Sequence, residues 1–279
     1  MDIVDTHTHV VSDDTQKYPP APVGGKRSGW SEAHGVTADE FARYTEQAGV
    51  KQALVVHSST TYGFDNSYAA DSVARFPDRF VGVCAVDGEA PDAPERLRYW
   101  ITERGMSGVR FYPKEGDTWV DGPAGYPLWE EVQRLQIPVA ISGRRMTPQV
   151  IRGAAERYPS VPILLDHMLN PSMDRADEYF APAALPNVHV KFTSVNLKRA
   201  KDAGVEPGDF LAAVVDRFGS KRVMWGSNFP SAFGSPNDPY KELLDEMRIA
   251  AEALSEADRE WFFAGTARSL YRALNRVRA

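Results

Sequence analysis

Short apolar runs recur along the whole chain and alternate with segments of helical pattern. After the first run they are spaced by roughly 25–35 residues, about the length of one βα unit. Eight runs are typical of buried strands: 3–6, 52–57, 80–86, 108–112, 138–142, 162–167, 189–193 and 223–227. Eight strands alternating with helices predict an α/β fold, the (β/α)8 TIM barrel. A doubly wound sheet is the alternative, but the glycine-rich turn that usually follows its first strand is missing.

The helical segments between these runs carry recognisable ends. Thr37-Ala-Asp-Glu40 predicts a capping box, and Gly49 is well placed to end the same helix. Further helices are predicted at 66–75, 92–104, 128–135, 148–158, 174–180, 207–218, 239–254 and 256–274, the last capped by Ser255. Residues 1–279 therefore read as one barrel domain. Its irregular insertion at 10–36, which contains Trp30, is expected to act as a lid or a wall of the site.

Composition excludes several classes of protein. The net charge of -6 argues against a nucleic-acid or membrane-surface binder. No apolar run is long enough to span a bilayer, and the N-terminus does not resemble a signal peptide. The single cysteine, Cys84, lies in an apolar run and is expected to be a buried thiol. A cytoplasmic protein is therefore expected, with assembly into a homo-oligomer left open.

Polar side chains gather at the predicted carboxyl ends of the strands, where barrel enzymes hold their catalytic groups. In Asp5-Thr6-His7-Thr8-His9, the period of a strand places both imidazoles on the same side. Such a pair can begin a metal site or a proton-transfer site. The other strand-end residues are His57, Asp87, Arg110, Tyr112, Ser142, Arg144, His167, Thr193 and Asn228.

Six segments of the chain resemble the amidohydrolase superfamily, in particular its amidohydrolase-2 branch. They are 4–9, 65–68, 75–80, 108–111, 165–167 and 225–230, in family order. Within the branch, the chain is most similar to 2-pyrone-4,6-dicarboxylate lactonases and related sugar lactonases. The resemblance implies a barrel that hydrolyses or decarboxylates small molecules, often with bound zinc or manganese.

Two positions depart from this family. Metal-dependent members usually carry a histidine at the end of the fifth strand, where this chain has Ser142. An aspartate that activates water is usual on the eighth strand, where this chain has Asn228. A neutral amide cannot accept a proton at neutral pH. Three explanations are open. Asn228 is an engineered change, another base such as His57 or Asp166 takes the place of the missing aspartate, or hydrolysis has been lost.

The catalytic residues predicted from the strand ends and from this resemblance are His7, His9, His167 and Asn228. The three imidazoles would hold one divalent metal, expected to be zinc, or would polarise a carbonyl without metal, as the resemblance to the lactonases implies. Asp166 neighbours His167 on a strand and is therefore expected to face the other way.

A second set is predicted to bind a small carboxylated substrate: Arg110, Tyr112, Ser142, Arg144, Lys191 and His57. The resemblance assigns a substrate carboxylate to Arg110, and a planar guanidinium suits that task. The predicted function is a hydrolase that opens a lactone or a similar ring. The alternatives are a metal-dependent decarboxylase of an aromatic acid and a catalytically degenerate binding barrel.

Overall fold

The computed structural model describes residues 1–113, 117–142, 146–170, 178 and 180–276. Eight parallel strands lie side by side in chain order. They are β1 Val4–Thr8, β2 Gln52–Val56, β3 Phe80–Ala85, β4 Gly108–Phe111, β5 Val139–Ile141, β6 Ile163–Asp166, β7 Val188–Thr193 and β8 Val223–Gly226. A bridge between Thr8 and Phe229 brings the two edges together. The predicted (β/α)8 barrel is confirmed.

Helices follow the strands at nearly all the predicted places within the described residues. They are α1 Gly29–Ala33, α2 Ala38–Gln47, α3 Ser59–Tyr62, α4 Ser67–Arg75, α5 Ala93–Thr102, α6 Tyr126–Leu135, α7 Pro148–Arg157, α8 Ser194–Asp202, α9 Pro207–Phe218, α10 Lys241–Ala250, α11 Glu256–Glu260 and α12 Thr266–Leu270. A π-helical turn, Trp261–Gly265, joins the last two. Short 3-10 turns lie at Pro123–Gly125, His167–Leu169, Ala181–Ala184, Ser220–Arg222, Ala251–Ala253 and Arg272–Asn275. The helix predicted at 174–180 lies mostly outside the described residues.

The predicted capping box begins α2. Thr37 Oγ1 accepts a hydrogen bond from the backbone of Glu40 at 3.3 Å, and the Glu40 carboxylate accepts from the backbone of Thr37 at 2.8 Å. Gly49 follows the helix at φ +73°, a conformation that glycine adopts without strain. Local signals were sufficient here because each end of the helix is determined by residues within three positions of it.

The core has two parts, inside the barrel and between the barrel and the helices. The inner cluster contains Val4, Leu54, Val56, Val81, Val83, Ala140, Leu164 and Met224, and Tyr271 and Leu274 pack against it from the C-terminal segment. The ring of Trp225 lies 5.9 Å from that of Phe263 on the outer side, and Cys84 is buried, as predicted. No described helix has the length and apolar character needed to cross a membrane.

An irregularity in β1 decides which side chains enter the barrel. Asp5 is paired with Ala53 and Thr8 with Val55, so β1 has one extra residue between these pairs. Such a β-bulge interrupts the alternation of sides. His7 therefore contacts groups inside the barrel, whereas the carboxylate of Asp5, two residues earlier, accepts a hydrogen bond from Tyr240.

Candidate active site

A cavity of about 750 Å³ opens at the carboxyl ends of the strands. Six of the predicted site residues line it: His9, Arg110, Tyr112, Ser142, His167 and Asn228. The segment 10–36 contributes Val23, Gly24, Ser28 and Trp30, and other loops contribute Ser58, Thr60, Pro113, Asn170, Val195 and Ser231. This is the end of the barrel at which the sequence predicted the site.

The predicted histidine cluster is present. The ring centroid of His7 lies 5.0 Å from that of His9 and 4.6 Å from that of His167. His7 is fully buried beneath the other two rings, and burial holds its pKa well below the usual range. Burial, with the positive charge of Arg110, lowers the pKa of His9 to about 3. Both imidazoles are therefore neutral at pH 7.

Each cavity-lining imidazole is oriented through its Nδ1 atom. Nδ1 of His9 lies 2.8 Å from the carbonyl oxygen of Val56. Nδ1 of His167 lies 2.7 Å from the hydroxyl of Thr193, at the end of β7. These contacts fix the orientation of both rings.

Asp166 corrects one expectation. It was predicted to face away from the site, but its carboxylate is buried among site residues: Oδ2 lies 2.8 Å from Arg110 Nε, and Oδ1 lies 3.1 Å from Lys191 Nζ and 3.4 Å from His7 Nδ1. The prediction was wrong because alternation ends with β6. His167 has φ +54°, so it does not continue the strand, and both side chains reach the site.

The charges of this group favour an ionised Asp166. Burial alone would raise the pKa of the carboxyl, but Lys191, His7 and Arg110 outweigh it and hold the pKa well below the usual range. Burial lowers the pKa of Lys191, and Asp166 opposes that shift. Lys191 is fully buried and does not line the cavity, so its predicted contact with substrate is replaced here by an ion pair with Asp166.

A second carboxylate, Asp5, ties β1 to the segment after β8. It accepts hydrogen bonds from the backbone of Ser227 at 2.9 Å, the Tyr240 hydroxyl at 3.0 Å and the backbone of His7 at 3.1 Å. Burial outweighs these bonds and raises the pKa of Asp5 to about 6. The adjoining backbone of Asn228 donates to His7 O at 2.8 Å. Sequence reasoning gave Asp5 no role, although its place in the Asp-Thr-His motif was a signal.

His57, a further predicted substrate-binding residue, does not line the cavity either. His57 is buried, and its Nε2 lies 2.9 Å from the carbonyl oxygen of Gly63. Burial lowers its pKa to about 4. Arg144 lies outside the described residues.

Trp30 covers part of the histidine cluster. Its ring stacks on His9 with 5.3 Å between centroids and 25° between planes. His34, farther along the same segment, stacks on Phe233 at 4.3 Å. The segment 10–36 therefore contacts both β1 and the loop after β8, and its action as a lid stays a prediction.

Comparison with known proteins gives relatives of more than one activity. An L-fucono-1,5-lactonase from Burkholderia ambifaria is 28% identical over 196 residues, covering 66% of this chain and 66% of the lactonase, just under two thirds. A gamma-resorcylate decarboxylase from Rhodococcus jostii is 27% identical over 241 residues, or 70% and 71% of the two chains. A solved structure from Pseudomonas putida, assigned by name to 2-pyrone-4,6-dicarboxylic acid hydrolase, has the same fold, with a TM-score of 0.75 and 20% identity over 98% of both chains.

Some solved structures of this fold were determined with bound zinc or manganese. The predicted zinc ligands lie together here, but among the described residues no three His, Cys, Asp or Glu side chains are placed so as to hold a metal ion. Within the described part of the chain, the Asp166 carboxylate beside the cluster already pairs with the cationic Arg110 and Lys191. Their charges oppose a divalent cation. As placed, these residues do not fit a metal, and no step below passes through one.

The family model for amidohydrolases matches residues 4–273, nearly the whole chain. This match agrees with the barrel topology, with His7 on β1 and His9 directly after it, and with the histidine after β6. The chain is therefore a member of the amidohydrolase family.

Proposed function

We propose that this protein hydrolyses a lactone, or a similar cyclic ester, in a small carboxylated substrate. The observation that carries the proposal is the shared cavity of His9, His167, Asn228 and Arg110. Ester hydrolysis needs a group that accepts a proton from water and a donor to the carbonyl oxygen, and a carboxylated substrate needs a cation. The lactonase relative supports this choice.

Arg110 is the group proposed to bind the substrate carboxylate. Its Nε is held by Asp166 at 2.8 Å, and one terminal nitrogen lies 3.4 Å from Ser142 Oγ. The guanidinium also lies 5.6 Å from the ring centre of Tyr112. These contacts fix the plane of the guanidinium while it still lines the cavity, which reduces the entropy lost when a carboxylate binds.

His9, His167 and Asn228 are proposed to contact the reacting ester, and His7 supports them from beneath. The alternative reaction is decarboxylation of an aromatic acid, which the decarboxylase relative favours. That reaction releases carbon dioxide without consuming water, so the two activities are separable by product.

The test is an assay of the purified protein against carboxylated lactones, with proton release measured in a pH-stat, and against dihydroxybenzoic acids, with carbon dioxide measured. We expect lactone turnover and no carbon dioxide. Arg110→Lys keeps the positive charge beside Asp166 but removes the planar fork. It should raise KM for the carboxylated lactone roughly 10–100-fold, the equivalent of a charged hydrogen bond.

A lactone without a carboxylate is the matched control, because Arg110→Lys should change its KM little. Carbon dioxide release without lactone turnover would assign the decarboxylase reaction. Binding of a carboxylated lactone without turnover of any compound would assign a binding barrel.

A further inference from the structure

The segment 10–36 is fastened to the loop after β2 by backbone hydrogen bonds. Its N–H groups donate to carbonyl oxygens of that loop: Ala21 to Thr61 at 2.9 Å, Val23 to Ser59 at 3.0 Å and Ser28 to Thr60 at 3.2 Å. A further N–H, that of Ser12, donates to the Tyr62 hydroxyl at 2.8 Å. Because these bonds hold the segment at several points, the side chains that it contributes to the cavity have defined positions.

Three hydroxyls at this junction form a chain whose hydrogen-bond directions are fixed. Ser28 and Thr60 both line the cavity, and Ser31 lies behind Ser28. The Ser31 hydroxyl donates to the carbonyl oxygen of Ser28 at 2.9 Å, because a carbonyl can only accept. Since a hydroxyl has one hydrogen, Ser28 is the donor in its 3.1 Å contact with Ser31 Oγ. Thr60 must then donate to Ser28 Oγ, also at 3.1 Å.

The hydroxyl chain (Thr60, Ser28 and Ser31) therefore presents acceptors to the cavity. A hydroxyl oxygen can accept two hydrogen bonds. Within the chain, Ser28 accepts one bond and Thr60 accepts none, while both donate their hydrogens inside the wall. The far end is complete, because Ser31, only 1% exposed, accepts from Ser28 and also from Arg27 Nε at 2.9 Å. The groups that satisfy acceptors in a cavity wall are O–H or N–H donors of a ligand.

Trp30 adds an apolar surface beside these acceptors. It lies in the same segment and lines the same cavity. Its ring stacks on His9, with 5.3 Å between centroids, and packs against the apolar cluster of Val11, Tyr18 and Tyr62. An indole fixed in this way offers the carbon atoms of a ligand a large contact at a low cost in conformational entropy.

We infer that Ser28, Thr60 and Trp30 form a subsite that selects a ring carrying hydroxyl groups. The ring hydroxyls donate to Ser28 Oγ and Thr60 Oγ1, and the ring carbons contact Trp30. This inference rests on the proposed lactone hydrolysis and deepens it, because it makes the substrate a hydroxylated lactone. A ring without hydroxyls would displace water from both acceptors and supply no donor in its place, which costs affinity.

Two contacts place this subsite beside the groups of the proposed reaction. Arg110, the proposed partner of the substrate carboxylate, lines the same cavity. Trp30 stacks on His9, which is proposed to contact the ester. A substrate held through its carboxylate and through its ring hydroxyls has few orientations left, so contacts away from the ester favour the reaction. The three residues of the subsite determine specificity and transfer no proton.

The first test measures binding without any assay of activity. Quinate and cyclohexanecarboxylate share a six-membered carbon ring and one carboxylate, and they differ in the ring hydroxyls of quinate. Neither compound is an ester, so neither can be hydrolysed. We expect isothermal titration calorimetry to give a Kd for quinate that is lower by roughly 10-fold or more, the equivalent of two net hydrogen bonds. Equal Kd values, or no binding of quinate at millimolar concentration, would overturn the inference.

Substitutions in the subsite separate its polar part from its apolar part. Thr60→Val keeps the shape of the side chain and removes the acceptor, so it should weaken quinate roughly 3–10-fold and leave cyclohexanecarboxylate unchanged. Thr60→Ser should restore the binding of quinate. Trp30→Ala should weaken both compounds roughly 3–10-fold, because it removes a contact to ring carbons.

Ser28→Ala tests the second acceptor and should reduce the preference for quinate in the same direction. Thr266→Val is the matched control for Thr60→Val. It removes a buried hydroxyl that donates to Ser220 O at 3.1 Å in α12, and it should leave both Kd values unchanged. If Thr60→Val weakened both compounds equally, the hydroxyl would serve only the structure of the wall, and the inference would fail.

The second test compares two six-membered lactones, gluconolactone, which carries ring hydroxyls, and δ-valerolactone, which carries none. We expect kcat/KM to favour gluconolactone, and the preference to fall roughly 3–10-fold in Thr60→Val. Turnover of both lactones at equal kcat/KM, with equal Kd values for the two carboxylates, would overturn the subsite and leave lactone hydrolysis intact. A preference for quinate without turnover of any lactone would support the subsite and refute the proposed hydrolysis alone.

Discussion

Two buried aspartates contact His7 from different regions of the barrel, and their pKa values are shifted in opposite directions. Asp5, at the seam between β1 and β8, accepts the backbone N–H of His7 at 3.1 Å and has its pKa raised by burial to about 6. Asp166, at the end of β6, lies 3.4 Å from the ring of the same histidine. Burial would raise its pKa too, but Lys191, His7 and Arg110 hold it well below the usual range.

The difference shows that hydrogen bonds alone do not keep a buried carboxylate ionised in this barrel. Asp5 accepts three hydrogen bonds from neutral donors, and desolvation still dominates. Asp166 remains an anion because two cations lie within 3.1 Å of it. The seam is therefore held by a group that can lose its charge in mild acid, whereas the charge of Asp166 keeps Arg110 and Lys191 in place beside the cavity.

The largest expected effect follows removal of the Asp166 carboxylate. Asp166→Ala leaves Arg110 and the fully buried Lys191 without their anion. Breaking a buried ion pair on one side typically costs about 3–5 kcal/mol. We expect a loss of that size in the free energy of unfolding, measured by urea denaturation at pH 7.

Leu164→Ala, two residues earlier on β6 in the inner apolar cluster, provides the comparison. A buried leucine truncated to alanine loses about 2–5 kcal/mol. The two variants should therefore lose similar stability, but only Asp166→Ala should also raise KM for a carboxylated lactone, since Arg110 loses its anchor. A loss of less than about 1 kcal/mol in the free energy of unfolding of Asp166→Ala would mean that burial of Arg110 and Lys191 does not require this carboxylate.

The next effect concerns the pH dependence contributed by Asp5. Its folded pKa, about 6, is above the ordinary value of 3.8, so the folded state holds the proton more tightly. The stabilisation is therefore fully present below pH 3.8 and is lost as the pH rises through about 6. At about 1.4 kcal/mol per pKa unit, the loss approaches 3 kcal/mol by pH 7.

Asp5→Asn cannot ionise, so its stability relative to the unsubstituted protein should rise by up to about 3 kcal/mol between pH 4 and pH 7. Urea denaturation across this range measures the difference. Tyr240→Phe removes a donor to the ionised carboxylate, so the pKa of Asp5 should rise further. The loss of stability with rising pH should then occur at a higher pH. A difference between Asp5→Asn and the unsubstituted protein that does not change with pH would show that the pKa of Asp5 is not raised.

These two carboxylates also mark the limit of what the sequence could predict. The strands, the α2 capping box and the shared side of His7 and His9 depend on neighbouring residues, so local patterns were sufficient. The side taken by Asp166 depends on the backbone of His167 at φ +54°, and the separation of Asp5 from His7 depends on one extra residue in β1. Neither has a distinctive local pattern. The bond from Tyr240 to Asp5 spans 235 residues and exists only once the barrel has closed.

The smallest of these effects isolates one cation of the Asp166 group. Lys191→Met removes the ammonium and keeps a long apolar side chain, while Arg110 still pairs with Asp166 at 2.8 Å. Hydrogen bonds to charged groups contribute about 1.5–3 kcal/mol, so we expect a loss of about 2 kcal/mol at pH 7. Because the pKa of Asp166 is depressed, its stabilisation is present above the ordinary carboxyl value and is lost as the pH falls. With one cation fewer the pKa rises, and acid unfolding should begin at a higher pH.

Lys198→Met is the matched control for this substitution. It breaks an ion pair with Asp202 in which the lysine side chain is 75% exposed, and such surface pairs contribute about 0–1 kcal/mol. Lys198→Met should therefore leave the pH of acid unfolding unchanged. If Lys191→Met behaved in the same way, Arg110 alone would hold Asp166 ionised, and the contrast with Asp5 would depend on a single guanidinium.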